Sequence, residues 1–256
     1  MHALPWGMFD GRPVVLAHRG GADLWPENSL TAFESALASG FRDFEIDVHG
    51  TREGKLVVVH DATVDRTTDG RGRIRDFSLE ELRRFKLVGT DGEPVPLLAD
   101  VLSLFKKSGA RAIVEVKFAG DLPEHDDLCR ALVSEITRAG MSDEVTISAF
   151  HWESLATLRA VSPTIGITAV VSARGVSSRG GIEAVAADAA ALGAEDLALE
   201  WTAATSYFAD VVHRSGMRLG VWTPNEADAI RQLAELGIDW IITDRPDLAL
   251  SALENA

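Results

Sequence analysis

Short apolar runs alternate along the chain with longer segments in which apolar residues recur every three or four positions. The runs predict β-strands, and the longer segments predict amphipathic helices. Eight strands are predicted, near residues 14–18, 41–49, 110–118, 144–150, 164–171, 195–201, 217–223 and 238–244. Helical patterns separate them, and a glycine follows most of these patterns: Gly40, Gly109, Gly140, Gly193, Gly216 and Gly237.

Strands that alternate with helices imply parallel pairing through right-handed crossovers. Such a chain forms either an open doubly wound sheet or a closed barrel. The first strand is not followed by G-x-G-x-x-G, so the nucleotide-binding form of the open sheet loses support. The eight repeats favour an α/β fold of the (β/α)8 TIM-barrel type. Helix starts are predicted at Asn28-Ser29, Thr223-Pro224-Asn225 and Asp244-Arg245-Pro246.

One segment interrupts the alternation after the second strand. About fifty residues, 50–96, separate this strand from its helix; they begin with the apolar run KLVVV and continue polar and charged. An insertion behind the carboxyl end of a barrel strand lies on the face that carries active sites. We therefore expect a short extra strand and a small cap over the site, within a single domain of residues 1–256.

The second strand carries acids in alternation with apolar residues. In FEIDVH the apolar side chains occupy one face, and Glu45 and Asp47 occupy the other. In a barrel the apolar face meets the helices, so both carboxylates point to the central axis. The next strand, AIVEVKF, repeats the pattern and directs Glu115 and Lys117 inward beside them. Three inward carboxylates predict a site for a hard divalent cation, Mg²⁺ or Ca²⁺.

Two histidines fall on the same face of the barrel. His18 ends the first strand in AHRG, and His60 follows the extra strand in VVVHD. Imidazoles exchange protons near neutral pH and supply about 10²–10⁴-fold each as general acids or bases. Arg19 and Lys117 flank them, and such cations hold phosphoryl groups. The set predicts acid–base cleavage of a phosphate ester by His18 and His60.

Each of these residues also has a purely structural interpretation. His18 would then be a hydrogen-bonded core residue, and Glu115 would form an internal salt bridge with Lys117. Three acids and two histidines on one face favour the functional interpretation. Phe150 and Trp222 stand at strand ends on this face, where an aromatic wall either packs against a substrate or closes the barrel. Positions predicted to lie at the surface, in packing or outside the site are His2, His49, His125, His151, His213 and Asp43.

Composition narrows the range of partners. The net charge of −14 argues against a nucleic-acid or anionic-membrane surface, but not against an anionic substrate held by local cations. The single cysteine, Cys129, excludes an internal disulfide and fits a reducing compartment. No apolar run approaches the ~20 residues of a transmembrane helix, and the first residues lack a secretory pattern. If the chain is complete, we expect a cytoplasmic protein without stable membrane association.

The order of these motifs resembles the glycerophosphodiester phosphodiesterase family. The resemblance is carried by AHRGGADLWPENSLTAFESALASG and FEIDVHGTREGKLVVVHDATVDRTTDGRG, and it continues through SLEELRRF, VEVK, ISAF, GVWTPN and IITDRP. It covers the chain from about 14 to 247. Departures from the family pattern, which bear on the shape of the pocket, occur at Ser29, Gly50, Leu97 and Pro224.

The resemblance implies a (β/α)8 barrel that hydrolyses glycerophosphodiesters to glycerol 3-phosphate and an alcohol such as choline, ethanolamine or glycerol. Glu27 and Asn28 match the family's E-N element, and Asn28 has a second interpretation as the cap of the first helix. The site residues that the resemblance implies are metal ligands, a catalytic pair and phosphate contacts: Glu45, Asp47 and Glu115; His18 and His60; Arg19 and Lys117.

The mechanism is a hypothesis with open steps. With a cation on the three acids, one histidine deprotonates the glycerol 2-hydroxyl while the other protonates the departing alcohol, and water then opens the resulting cyclic phosphate. The sequence does not assign the first base, and direct attack by water stays open. Two rival functions stand beside this one. They are a related barrel phosphodiesterase for lysophospholipid or phosphoinositide-type substrates, and a catalytically silent barrel that binds phosphorylated ligands.

Overall fold

The computed structural model describes the backbone of residues 11–117 and 122–254, and the side chains of 11–117 and 125–254. Within these residues, eight parallel strands close into a barrel, because β1 pairs with both β2 and β9. The predicted TIM barrel is confirmed, while His2 lies outside the described residues. The strands are β1 Val14–His18, β2 Asp43–Gly50, β3 Leu56–Val58 (outside the barrel), β4 Arg111–Val116, β5 Val145–Ala149, β6 Gly166–Val171, β7 Asp196–Glu200, β8 Arg218–Trp222 and β9 Trp240–Thr243.

Helices fill the connections between the strands. The six glycines predicted to follow helices all have positive φ, the conformation in which glycine carries no Cβ penalty. No helix in the described ranges combines the length and the apolar character needed to cross a bilayer. The helices are α1 Leu30–Ala38, α2 Leu79–Leu82, α3 Leu98–Ser108, α4 Leu122–Ala139, α5 Trp152–Val161, α6 Ala173–Ser178, α7 Ile182–Ala191, α8 Ser206–Arg214, α9 Ala227–Glu235 and α10 Pro246–Glu254.

The helix start predicted at Asn28-Ser29 is confirmed, with Ser29 and not Asn28 as the cap. The Ser29 side chain accepts the N–H of Ala32 at 2.9 Å, which leaves the side chain of Asn28 for another contact. The start predicted at Thr223-Pro224-Asn225 is replaced by one after Glu226, without a side-chain cap. In both cases an asparagine that suits a helix cap instead contacts an acid of the barrel. The third predicted start is confirmed, because α10 begins at Pro246.

Packing on the outer face of β2 decides which way its acids point. Phe44 is fully buried against the helices. Its ring stacks on Phe105 of α3 at a centroid distance of 4.6 Å and meets Phe33 of α1 edge-on at 5.9 Å. Burying a side chain of this size contributes about 1.5–3 kcal/mol. This packing leaves both acids of the strand on the inner face.

The segment between β2 and α3 has a small core of its own. The predicted extra strand is present as β3, which pairs antiparallel with the carboxyl end of β2, Val58 opposite Val48. The carboxylate of Glu93 accepts the backbone N–H groups of Leu30 and Thr31, at 2.5 and 3.1 Å, and so joins the insertion to the start of α1. The core residues of this segment are Val57, Val59, Val64, Ile74, Leu82, Leu87 and Val95.

Trp240 closes the interior of the barrel. Its side chain is fully buried, and its indole N–H donates to Asp196 at 3.1 Å. Gly220 on the neighbouring β8 leaves the room for it, since a Cβ at that position would lie 2.0 Å from the indole ring. Trp240 therefore forms a floor beneath the carboxyl end of the strands, together with Leu16, Ile113, Val170, Ala198 and Ile242.

Candidate active site

The three predicted acids converge at the carboxyl end of the barrel. Asp47 and Glu115 are register partners on β2 and β4, and Glu45 lies two residues before Asp47 on the same face. One carboxylate oxygen from each residue lies within 4.8 Å of the other two. Glu45 is 4% exposed and Asp47 is 1% exposed, so water screens their charges little.

Two cations lie among these acids. Lys117 Nζ donates to Glu115 and lies 2.8 Å from Asp47 Oδ1, and Arg19 Nε lies 3.3 Å from Asp47 Oδ2. Arg19 has a left-handed backbone with φ of 52°, which costs about 1–3 kcal/mol for a residue with a side chain. Its backbone N–H donates to the carbonyl of Glu45 at 2.8 Å. The strained loop thus holds the guanidinium beside the acids.

The charges in this cluster do not balance. Burial by itself would raise the pKa of Asp47, but Lys117 and Arg19 outweigh it and hold this pKa well below its ordinary value. Burial raises the pKa of Glu115 to about 7 against the opposing charge of Lys117. Burial, together with the charges of Asp47 and Glu115, raises the pKa of Glu45 well above its ordinary value. With all three carboxyl groups ionised, the two cations would leave a deficit of positive charge.

The acid cluster fits a divalent cation. Its donors are carboxylate oxygens, the hard ligands that Mg²⁺ and Ca²⁺ prefer. Among the described residues, no group donates a hydrogen bond to Oε2 of Glu45, although that oxygen is buried. A buried acceptor of this kind is costly unless a proton or a cation satisfies it. The donor set therefore matches the metal ligands expected from the sequence and suits either ion.

His18 is held by an aspartate from the other end of the chain. Its Nδ1 lies 2.6 Å from Asp244 Oδ1, and its Nε2 lies 3.7 Å from Glu45 Oε2. Burial would raise the pKa of Asp244, but hydrogen bonds from His18 and Asn225 lower it, so the carboxylate is ionised. An ionised carboxylate only accepts, so Nδ1 carries the proton and Nε2 faces the acids.

His60 has the same arrangement in the insertion. Its Nδ1 lies 2.7 Å from Asp61 Oδ1, and hydrogen bonds from Arg66 lower the pKa of Asp61 to about 2. Burial lowers the pKa of His60, against the charge of Asp47. The Nε2 of His49 donates to the backbone carbonyl of His60 at 3.0 Å. Both rings are thus oriented by an ionised aspartate that accepts the Nδ1 proton.

The predicted side chains meet in one cavity of about 200 Å³. Phe150 and Trp222 stand edge-on to each other in its wall, with ring centroids 5.3 Å apart, and Trp240 lines the cavity from the floor. Asp47 is buried against the cations that face the cavity. The predicted site residues that line it are His18, Arg19, Glu45, His60, Glu115, Lys117, Phe150 and Trp222.

Other positions singled out in the sequence have different neighbours. The side chain of Asn28 donates to Asp47 Oδ2 at 2.9 Å, and so it orients a predicted metal ligand instead of capping α1. His213 pairs with Asp239 at 2.8 Å. Positions that do not line the cavity include His125, buried beside Ser154, and Asp43, paired with Arg111.

The aspartate partners of both histidines are not among the site residues predicted from the sequence. Asp61 directly follows His60 in VVVHD, and an acid next to a candidate base is a signal that could have identified it. Asp244 stands in IITDRP, where the sequence predicts a helix start. Asn225, which donates to Asp244 at 2.7 Å, stands at another predicted helix start.

The fold and the site together define a class of protein, the α/β-barrel hydrolases of phosphate esters. The sequence model of the "Glycerophosphoryl diester phosphodiesterase family" matches residues 18–248. The chain therefore belongs to this family of phosphoric diester hydrolases.

Individual relatives agree with this assignment over nearly their whole lengths. A glycerophosphodiester phosphodiesterase of Caldanaerobacter subterraneus is 29% identical over 245 residues, which cover 94% of this chain and 97% of the relative. A glycerophosphodiester phosphodiesterase of Bacillus altitudinis is 28% identical over a match that covers 94% of this chain and 98% of the relative.

Solved structures share the fold. A putative glycerophosphoryl diester phosphodiesterase of Silicibacter pomeroyi superposes with a TM-score of 0.91 at 22% identity, covering 98% of this chain and 96% of its own. An Oleispira antarctica phosphodiesterase, in complex with the product sn-glycerol-3-phosphate, has a TM-score of 0.85 at 24% identity. The match covers 95% of this chain and 97% of the Oleispira chain.

Proposed function

We propose that this protein hydrolyses glycerophosphodiesters to glycerol 3-phosphate and an alcohol by acid–base catalysis. The observation that carries the proposal is the pair of histidines, His18 and His60. Each is oriented by an ionised aspartate, and both line one cavity with the carboxylate cluster. The Oleispira phosphodiesterase, whose complex contains sn-glycerol-3-phosphate, supports the choice of substrate class.

Glu45, Asp47 and Glu115 would hold a divalent cation, either Mg²⁺ or Ca²⁺. Two observations support this assignment: the spacing of the three acids, and the buried Oε2 of Glu45, which accepts no hydrogen bond from any described residue. When bound, such an ion neutralises charge on phosphoryl oxygens and favours deprotonation of a nearby hydroxyl. Asn28 would keep the carboxylate of Asp47 in orientation through its 2.9 Å hydrogen bond.

The two imidazoles would move the protons. One takes the proton of the glycerol 2-hydroxyl as its oxygen bonds to phosphorus, and the other protonates the alcohol oxygen as its bond to phosphorus breaks. Water then opens the cyclic phosphate with the roles exchanged, so that each histidine returns to its starting protonation state. Arg19 and Lys117 would bind the phosphoryl oxygens as charge-assisted donors.

Phe150 and Trp222 would pack against the carbon skeleton of the substrate. Both line the cavity, and Phe150 is 45% exposed, which leaves its ring available for contact. A small-molecule substrate fits a chain whose net charge is −14, because the cations of the site supply the local positive charge. The single buried thiol, Cys129, supports a cytoplasmic location.

The test is release of glycerol 3-phosphate from glycerophosphocholine, measured with added Mg²⁺ or Ca²⁺ and with EDTA. We expect turnover that depends on the divalent ion, and a panel of head groups ranks the alcohols. A catalytically silent barrel would bind glycerol 3-phosphate without turning over any member of the panel. Turnover of lysophospholipids alone would replace the proposed substrate class.

A further inference from the structure

Arg66, in the insertion, bridges two carboxylates that each touch the active site. Its Nη1 and Nη2 donate to the two oxygens of Glu27 at 2.6 and 2.8 Å. Its Nε and Nη2 donate to the two oxygens of Asp61 at 2.7 and 3.1 Å. One guanidinium therefore makes two forked contacts, which fix its plane and the planes of both carboxylates.

Each of these carboxylates also accepts a hydrogen bond from a residue that lines the cavity. Asp61 accepts from His60 Nδ1 at 2.7 Å. Glu27 also accepts from Arg19 Nη1 at 3.1 Å, and Arg19 Nε lies 3.3 Å from Asp47. The contacts form one continuous series from the acid cluster to the second histidine: Asp47, Arg19, Glu27, Arg66, Asp61 and His60.

Because Arg66 is partly exposed, its effect on the orientation of Asp61 can be distinguished from a contribution to folding stability. The side chain of Arg66 is 48% exposed, so solvent screens its ion pairs and reduces what they add to folding stability. The insertion also has its own apolar core and its own attachment to α1 through Glu93. The fold of the insertion therefore has support besides Arg66, whereas the orientation of Asp61 depends on the fork.

We propose that Arg66 is a positioning residue for the reaction. It holds Asp61 so that His60 keeps its proton on Nδ1 and presents Nε2 to the cavity. Through Glu27 it also holds the guanidinium of Arg19 beside the acid cluster. The proposal rests on the proposed function, since it assigns a role in the same acid–base reaction.

The kinetic test compares Arg66→Ala with wild type. We expect kcat to fall by about 10²-fold, because small misplacement of a catalytic group has an effect of this size. Free guanidinium ion at millimolar concentration should restore kcat at least about tenfold, because the exposed site admits it. Arg66→Lys should stay impaired, since an ammonium group cannot form two forks.

The matched control is Arg52→Ala. Arg52 lies in the same insertion, is 56% exposed and pairs with Glu81 at 3.0 Å, outside the cavity. This variant should keep kcat within about twofold of wild type and should not respond to guanidinium. An Arg66→Ala variant with wild-type kcat, or with a loss that guanidinium leaves unchanged, would overturn the proposal.

A second measurement does not depend on activity. Nitrogen-15 NMR of the His60 ring should show a single tautomer, protonated at Nδ1, in wild type and in Arg52→Ala, and a mixture of tautomers in Arg66→Ala. An unchanged tautomer in Arg66→Ala would overturn the positioning role. If the wild-type protein hydrolyses no glycerophosphodiester but the tautomer still changes between wild type and Arg66→Ala, the proposed function alone would be refuted.

Discussion

His18 and Asp244 are 226 positions apart in the chain, and His18 Nδ1 lies 2.6 Å from Asp244 Oδ1. His18 ends β1 and Asp244 follows β9, and these strands pair in parallel with Ala17 opposite Thr243. The contact therefore lies on the seam where the barrel closes. Because the carboxylate is ionised and accepts the Nδ1 proton, it fixes both the tautomer and the orientation of the ring.

Replacement of Asp244 by asparagine should lower kcat on the order of 10²-fold, because the amide cannot hold the imidazole in one tautomer and charge state. Steady-state kinetics on glycerophosphocholine measures the effect. The matched control is Asp239→Asn, which alters an aspartate–histidine contact of 2.8 Å with His213, away from the cavity. Equal losses of kcat in the two variants would contradict a specific role for Asp244.

His18→Ala and His60→Ala should each lose several powers of ten in kcat while remaining folded. Loss of a general acid or base removes about 10²–10⁴-fold, and loss of the ordered pair adds to it. Turnover and circular dichroism are measured on the same samples, with His213→Ala as the control. Near-wild-type turnover in either cavity variant would remove the acid–base scheme.

Divalent cation should stabilise the folded protein through the acid cluster. At 100 times its dissociation constant, a ligand specific to the folded state contributes about 2.7 kcal/mol, which raises Tm by about 5–10 °C for a chain of this size. Glu115→Gln should lose most of this shift in a thermal melt. Glu135→Gln, which alters a half-buried carboxyl outside the cluster, should keep it. An equal shift in both variants would place the ion elsewhere.

The stability of the cation-free protein should fall as pH rises from about 4.5 to about 7. Burial raises the pKa of Glu115 to about 7 from an ordinary 4.5, so the folded protein binds more protons than the unfolded chain within this window. The stabilisation that protonated Glu115 gives the folded protein is complete below pH 4.5. It is lost as the pH rises through the pKa that Glu115 has in the folded state. In urea unfolding with EDTA present, the free energy of unfolding should fall by up to about 3 kcal/mol over this pH range. The slope should be smaller in Glu115→Gln, and an unchanged slope would assign the titration to another group.

Gly220→Ala should distort the floor of the cavity. The added Cβ would lie 2.0 Å from the ring of Trp240, and such overpacking costs about 1–3 kcal/mol. The free energy of unfolding, measured with urea, and kcat/KM should both decrease. Trp240→Leu in the same chain removes the clash, so the double variant should be more stable than the sum of the single effects predicts. Strict additivity would show that the indole has moved freely out of the way.

The barrel, and the set of acids and histidines at the carboxyl end of its strands, could be predicted from the pattern of residues along the chain. Alternation of apolar and acidic residues in FEIDVH and AIVEVKF is a local property, and parallel pairing in a barrel turns it into inward carboxylates on adjacent strands. Positions at strand ends, such as His18 and Phe150, follow from the same argument. The inward placement of these side chains could be predicted because it depends on the direction of one strand and not on distant contacts.

The contacts that orient these acids and histidines depend on the packing of distant segments against one another. Asn28 and Asp244 sit where a helix cap is expected, and that local explanation hid their contacts with Asp47 and His18. Arg66 is one charge in a polar insertion until the insertion packs beside the loop that carries Glu27. Contacts of this kind arise from barrel closure and from docking of the insertion, which bring distant segments to hydrogen-bond distance, and no periodicity in the sequence encodes those distances.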